Sequence, residues 1–259
     1  MKPIRISAAI AATLIIGCTP TEPPAAVEDA PDTVPIAPIE ASEQMEYPEQ
    51  VALPLVARGQ EPGWMVRVEE DGIELKAYYA TETVRFPYQP PHVTASAITW
   101  SSEADGRQFE LTLRPGICRD TMTGMPYPHS ASYRLDGTVY HGCGGEARPL
   151  LVEPSWKIVR IGDQPTAGDR SPTIDFDDED NRFAGLAGCN RYMGGFSLSG
   201  EGLSLEPAAS TLMACPDESV AEQERRLLDL LARVYRFDIS DEGQLILHTP
   251  DASIVADPE

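Results

Sequence analysis

The chain is predicted to be mainly β, an α+β architecture of two small antiparallel β-rich domains, the second with one amphipathic helix packed on its sheet. Three observations carry that prediction. Short runs with an apolar residue at every second position recur from Trp64 to Ala256, which is the period of a half-buried strand. The pairs Asp71-Gly72, Asp105-Gly106 and Asp136-Gly137 separate several of these runs, and Asp-Gly between alternating runs marks a hairpin. One stretch alone, between Pro216 and Val234, has a helical period.

The first residues are of a different kind. Met1 to Gly17 opens with Lys2 and Arg5 and runs apolar from Ile6 to Ile16, broken only by Ser7 and Thr13. That is a signal-peptide pattern, too short for a spanning helix, which needs about 20 apolar residues. Residues 19–50 hold seven Pro and eight Asp or Glu with no Lys or Arg, and their apolar residues follow no period. The composition reads as a disordered tether beginning at Cys18.

In the block 51–149, strands are expected at Trp64 to Val68, Ile73 to Tyr78, Ala97 to Trp100, Phe109 to Leu113 and Ser132 to Leu135, with no long helix. Trp64, Tyr78, Tyr79, Trp100 and Tyr133 fall on these strands and are expected in the core rather than on a ligand platform. In the block 153–259, strands are expected at Trp156 to Ile161, Thr173 to Phe176, Arg182 to Ala187, Gly195 to Leu198, Leu203 to Leu205, Arg236 to Ile239, Leu245 to His248 and Ser253 to Ala256. The helix between them places Val220, Leu227, Leu228, Leu231 and Val234 on one face and Glu222, Gln223, Arg226, Asp229 and Arg233 on the other. Ser219-x-x-Glu222 is a capping-box candidate at its start.

Charge excludes one class of function. The chain has 41 acidic against 20 basic residues, a net charge of −21, and a surface of that sign repels nucleic acid and anionic lipid head groups. No nucleic-acid partner is expected. The five cysteines divide as one near the N-terminus, Cys18, and two spaced pairs, Cys118 with Cys143 and Cys189 with Cys215. The pairs read as one disulfide in each domain, which requires an oxidising compartment. A zinc site of Cys118, Cys143, His129 and His141 is the competing reading, although zinc ligands usually come in tight pairs and only His141 and Cys143 are close.

Several motifs resemble known families. Ile15-Ile16-Gly17-Cys18 resembles a bacterial lipobox, which implies cleavage before Cys18, acylation of its sulfur and a membrane partner held through lipid; Thr19 after it implies the outer membrane, facing the periplasm. In the second block, Phe183-Ala184-Gly185-Leu186-Ala187-Gly188-Cys189-Asn190-Arg191-Tyr192-Met193-Gly194-Gly195-Phe196, then Ser210-Thr211-Leu212-Met213-Ala214-Cys215-Pro216 and Glu224, resemble the META domain, the family of the heat-shock lipoprotein HslJ. The first block is similar to an envelope-lipoprotein domain known only as a predicted membrane protein family. Ala57 to Trp64, Cys118 to Pro128 and Gly142 to Gly145 carry that likeness, though that family usually has an Asn and an aromatic residue near Gln60 and Gly63, which this chain lacks there. Neither family has a settled activity. The themes implied are envelope stress and antibiotic tolerance.

The candidate binding loop is Gly188, Asn190, Gly194 and Gly195, with a structural reading beside the functional one: glycines for a sharp turn, Asn190 as its cap and Cys189 as a staple. Asp175 to Asn181 lacks the Gly and Glu of an EF-hand at the sixth and twelfth positions and is expected to be an acidic hairpin tip. The chain has none of the common nucleophile, zinc-protease or phosphate-loop motifs. No catalytic residue, metal or cofactor is therefore expected. The function expected is a non-enzymatic, lipid-anchored envelope protein that binds an envelope protein partner or supports envelope integrity in stress. The alternative is a periplasmic module holding a small ligand or metal cation around Cys118 to Cys143.

Overall fold

In the computed structural model, residues 52–167 and 171–259 are described, so the signal-peptide pattern, Cys18 and the tether lie outside the described residues. The strands of the first block are β1 (Leu55–Gln60), β2 (Gly63–Glu69), β3 (Gly72–Ala77), β4 (Glu82–Phe86), β5 (His92–Thr94), β6 (Ala97–Ala104), β7 (Arg107–Arg119), β8 (Pro126–Leu135) and β9 (Thr138–Gly144). They form one antiparallel sheet in the order β4-β3-β2-β1-β9-β8-β7-β6-β5. Alternation puts Trp64, Val66, Leu75, Trp100, Leu111 and Tyr133 inside.

Two of the Asp-Gly pairs make the expected hairpin turns, with positive φ at Asp105, Gly106, Asp136 and Gly137. The third does not: Gly72 is the first residue of β3 and pairs with Glu69, so Glu70 and Asp71 form the turn. The sheet curls until β4 lies against β7, where Phe86 stacks on Phe109 with centroids 4.8 Å apart and Arg107 reaches Glu82 at 2.6 Å.

The second block consists of a short helix α1 (Arg148–Val152), β10 (Trp156–Ile161), β11 (Gln164–Pro165), β12 (Thr173–Asp177), β13 (Arg182–Leu186), β14 (Arg191–Ser199), β15 (Gly202–Leu205), β16 (Ala209–Ser210), helix α2 (Glu218–Leu231), β17 (Arg236–Ile239), β18 (Leu245–His248) and β19 (Ser253–Pro258). The main path of this sheet is β15-β14-β13-β12-β10-β19-β18-β17, with β11 on β10 and β16 on β14. It nearly closes into a barrel. The Leu203 N–H donates to the Tyr235 carbonyl at 3.0 Å, joining β15 to the residue before β17.

Helix α2 buries Val220, Leu227, Leu230 and Leu231 against this sheet. Two expectations about it are corrected. Asp217 is the N-cap, accepting from the Ser219 N–H and Oγ, and Glu222 pairs with Arg225 instead of closing a capping box. Gln223 faces the core rather than solvent because its Oε1 accepts from the Ala167 N–H at 2.6 Å.

Both cysteine pairs are disulfides, Cys118–Cys143 with a sequence separation of 25 and Cys189–Cys215 with 26. The described residues belong to one compact unit, and the two sheets share apolar packing. Met125, Tyr127 and Cys143 of the first sheet and Ala147 and Leu151 at α1 join the buried cluster of the second. Across the same boundary Arg119 Nε donates to Asp238 at 2.9 Å, and its NH2 donates to the Ile239 carbonyl at 2.8 Å. Among the described residues no helix is long and apolar enough to cross a membrane.

Candidate functional site

Two constellations gather the residues singled out by sequence. The first is the turn between β13 and β14. Gly188 has φ +151°, and a Cβ there would stand 2.6 Å from Val220 Cγ1 on α2, so the turn needs glycine to approach the helix. Asn190 is buried and its side-chain amide is fully engaged. Nδ2 donates to Glu224 Oε1 at 2.7 Å and to the Met213 carbonyl at 3.3 Å, while Oδ1 accepts from the Met213 N–H at 2.7 Å and from Thr211 Oγ1 at 2.8 Å. Glu224 Oε2 accepts from the Cys189 and Asn190 N–H groups. Two donations and two acceptances exhaust the amide, which makes Asn190 a tie between turn, helix and the 211–213 segment. Gly194 and Gly195 lie farther along β14, paired with Phe183 and Arg182.

The second constellation lies in the first sheet. Arg58 on β1 pairs with Cys143 on β9, the disulfide ties Cys143 to Cys118 at the end of β7, and Asp120 follows directly. Between them is a cleft of about 270 Å³ lined by Arg58, Gln60, Glu61, Asp120, Thr121 and His141, with the disulfide in its wall. The three segments that carried the likeness to the envelope-lipoprotein domain, 57–64, 118–128 and 142–145, thus converge on one place.

Asp120 organises the cleft. Its Oδ1 accepts from the N–H groups of Met122 and Thr123 and from Thr123 Oγ1, and its Oδ2 accepts from Gln60 Nε2 at 3.2 Å. Burial opposes its ionisation, but the hydrogen bonds from Thr123, Gln60 and Met122 outweigh it and hold the carboxyl below the usual carboxylate range. The Arg58 guanidinium lies over the Tyr127 ring, 5.1 Å from its centroid, and its Nε is buried without an acceptor. Burial in turn raises the Tyr127 phenol.

Beside the cleft stands a feature that sequence reasoning missed. Tyr78, Tyr79 and Ala80 all have positive φ, 49°, 58° and 64°, a left-handed turn of residues that each lose about 1–2 kcal/mol in that conformation. Tyr78 and Tyr79 are therefore in a turn and exposed, not on a strand in the core as expected; Trp64, Trp100 and Tyr133 are in the core. Local bonds hold the turn. The Tyr79 N–H donates to the Gly63 carbonyl at 2.8 Å, Thr81 Oγ1 donates to the Tyr78 carbonyl at 2.8 Å, and the Tyr78 and Tyr140 hydroxyls meet at 3.0 Å. Tyr79 Oη donates to the Gln60 carbonyl at 3.0 Å, and a Cβ on Gly63 would come within 2.5 Å of the Tyr79 ring. The ring is pinned on one side, yet Tyr79 is 72% exposed. The sequence signal was Gly63 itself, which leaves room for the ring.

The zinc reading is corrected, because the Cys118 and Cys143 sulfurs are bonded to each other. Among the described residues no group of three or more His, Cys, Asp or Glu is arranged to hold a metal. Of Asp175 to Asn181, the first three residues end strand β12 and 178–181 form the β12–β13 hairpin tip, where Asp177 Oδ1 accepts from the N–H groups of Glu179 and Asp180 and Arg148 bonds Asp178 and Asn181.

The META domain model matches residues 149–257. This META module begins inside α1, before the Trp156 strand. Two solved structures are similar to parts of the chain. One, titled "NMR structure of the protein from Burkholderia xenovorans", is 24% identical, with 44% of this chain and 86% of that chain covered and a TM-score of 0.37. The other, titled "NMR structure of the protein", is 23% identical, with 41% and 90% covered and a TM-score of 0.36. No curated protein matches the chain.

Proposed function

We propose that this chain is a non-enzymatic binding protein of the cell envelope, an HslJ-like lipoprotein exported and held at the outer membrane through acyl chains on Cys18. In this reading the block 51–149 is the envelope-lipoprotein domain and carries the binding site, and the META module, 153–259 by the sequence division, is its rigid support. The observation that carries the site is the convergence of 57–64, 118–128 and 142–145 on the cleft with Asp120 fixed in its wall. Two disulfides fit an oxidising compartment, and more than one acyl chain anchors stably where one would not.

A second reading, docking of an envelope protein through the META module, is favoured by Leu212 and Met213. They are 96% and 60% exposed on a segment that Asn190 and the Cys189–Cys215 disulfide hold in place.

Two measurements test the proposal. A palmitate analogue fed to cells labels the wild type and not Cys18→Ala; equal labelling contradicts the anchor. A photo-crosslinking residue at Thr121, in the cleft, yields an envelope adduct that the same residue at Asp105 does not. Equal capture from both, or none from Thr121, contradicts the site.

A further inference from the structure

The cleft and the pinned tyrosine share one turn, Gln60–Gly63, and their chemistry is specific enough to name a ligand class. The Gln60 side chain lines the cleft while its carbonyl accepts from Tyr79, so the aromatic ring stands directly beyond the cleft's end. An aromatic ring with one face fixed on backbone and the other open to solvent is a platform for a flat, weakly apolar surface. A sugar ring has such a surface in the C–H groups of one face, together with a rim of hydroxyls that both donate and accept.

The groups beside the platform suit that rim. Gln60 and Arg58 bring a planar amide and a guanidinium within one small cleft, and Asp120 Oδ2, which accepts from Gln60 alone, has room for one hydroxyl beside them. Asp120 is kept in place by four hydrogen bonds, so the acceptor geometry exists before a ligand arrives. Charge points the same way. Both guanidinium groups at the cleft are already paired, Arg58 with Glu146 and Arg119 with Asp238, so neither is left to draw a strong anion. At about 270 Å³ the cleft lies just below the usual range of ligand sites, which fits a chain of small units better than one large molecule.

We infer that this site binds a neutral oligosaccharide, one ring held in the cleft by Gln60, Asp120 and Arg58 and the next laid on the open face of Tyr79. The inference rests on the proposed cleft as the binding site and adds the class of its ligand. The test is calorimetric titration of the mature protein with cellotetraose, maltotetraose and the tetramer of N-acetylglucosamine at millimolar concentration. At least one binds with a Kd between micromolar and millimolar. Tyr79→Ala and Gln60→Ala each weaken it roughly tenfold or more, Tyr79→Phe weakens it less, and Tyr235→Ala, an exposed tyrosine of the META module, leaves it unchanged. Unaltered melting temperatures show that the variants are folded; should Tyr79→Ala melt early, Gln60→Ala and Arg58→Lys carry the test.

Binding of none of the three sugars overturns the inference, as does equal binding by Tyr79→Ala and Gln60→Ala, or competition by inorganic phosphate. An envelope adduct from Thr121 with no sugar binding overturns the ligand class and leaves the cleft as the site. Loss of both overturns the two together.

Discussion

Asp120 and Asn190 are polar, buried and held by four hydrogen bonds each, yet one faces a cleft and the other faces only its own fold. For Asn190 every side-chain atom that can bond does so inside the protein. Asn190→Ala strands the Met213 N–H and takes the donor from Glu224 Oε1, and is expected to cost about 1–3 kcal/mol, measured by urea unfolding. Asp120 adds a pH dependence. Its folded carboxyl is held below its ordinary value, so the unfolded chain takes up the proton first. Its contribution is complete above the unfolded pKa of about 3.9 and is lost as pH falls through the lower folded value. Unfolding free energies from pH 6 down should therefore fall less steeply in Asp120→Asn than in the wild type; parallel curves contradict that sign.

At the scale of elements, alternation and turn chemistry made most of both sheets legible in the sequence. The strands from Trp156 and Arg236 have the expected bounds: Phe237 and Ile239 alternate with polar residues, and the Trp156 strand keeps its ends although a register shift between Ile158 and Arg160 breaks its alternation. The failures have physical causes. β1 went unseen because Leu55, Val56 and Ala57 are all buried and show no period of two. Tyr78 and Tyr79 look like strand residues by propensity, but hydrogen bonds to Gly63, Gln60 and Tyr140 impose a left-handed turn on them. Gln223 was placed on the polar face because sequence cannot show that its Oε1 receives the Ala167 N–H. The disulfides were legible as pairs, but the cleft was not, since it needs residues from β1, β7 and β9 together. Two predictions belong here. Ala80→Gly relieves the positive φ and is expected to stabilise by about 0.5–1 kcal/mol, read as a raised melting temperature. Replacing Cys189 and Cys215 together by Ser opens a 26-residue separation and is expected to cost roughly 3–4 kcal/mol in the chain-entropy model.

For the whole molecule, the packing of Met125 and Tyr127 into the META core and the Arg119–Asp238 pair make the two sheets interdependent. Trp64 and Trp100 report on the first sheet and Trp156 on the second. Single-tryptophan variants are expected to unfold in urea with coincident midpoints, and separate transitions would show independent domains. Such coupling gives the cleft a firm setting, because one wall continues through Arg119 into the META module.

The central claim is that function resides at the cleft rather than at the META turn. It is tested most directly by amide chemical shifts of the labelled mature protein titrated with solubilised envelope material. Changes gathered at Arg58 to Glu61, Tyr79, Cys118 to Thr121 and His141 to Cys143 are predicted; changes centred on Leu212 and Met213, or none at all, contradict it.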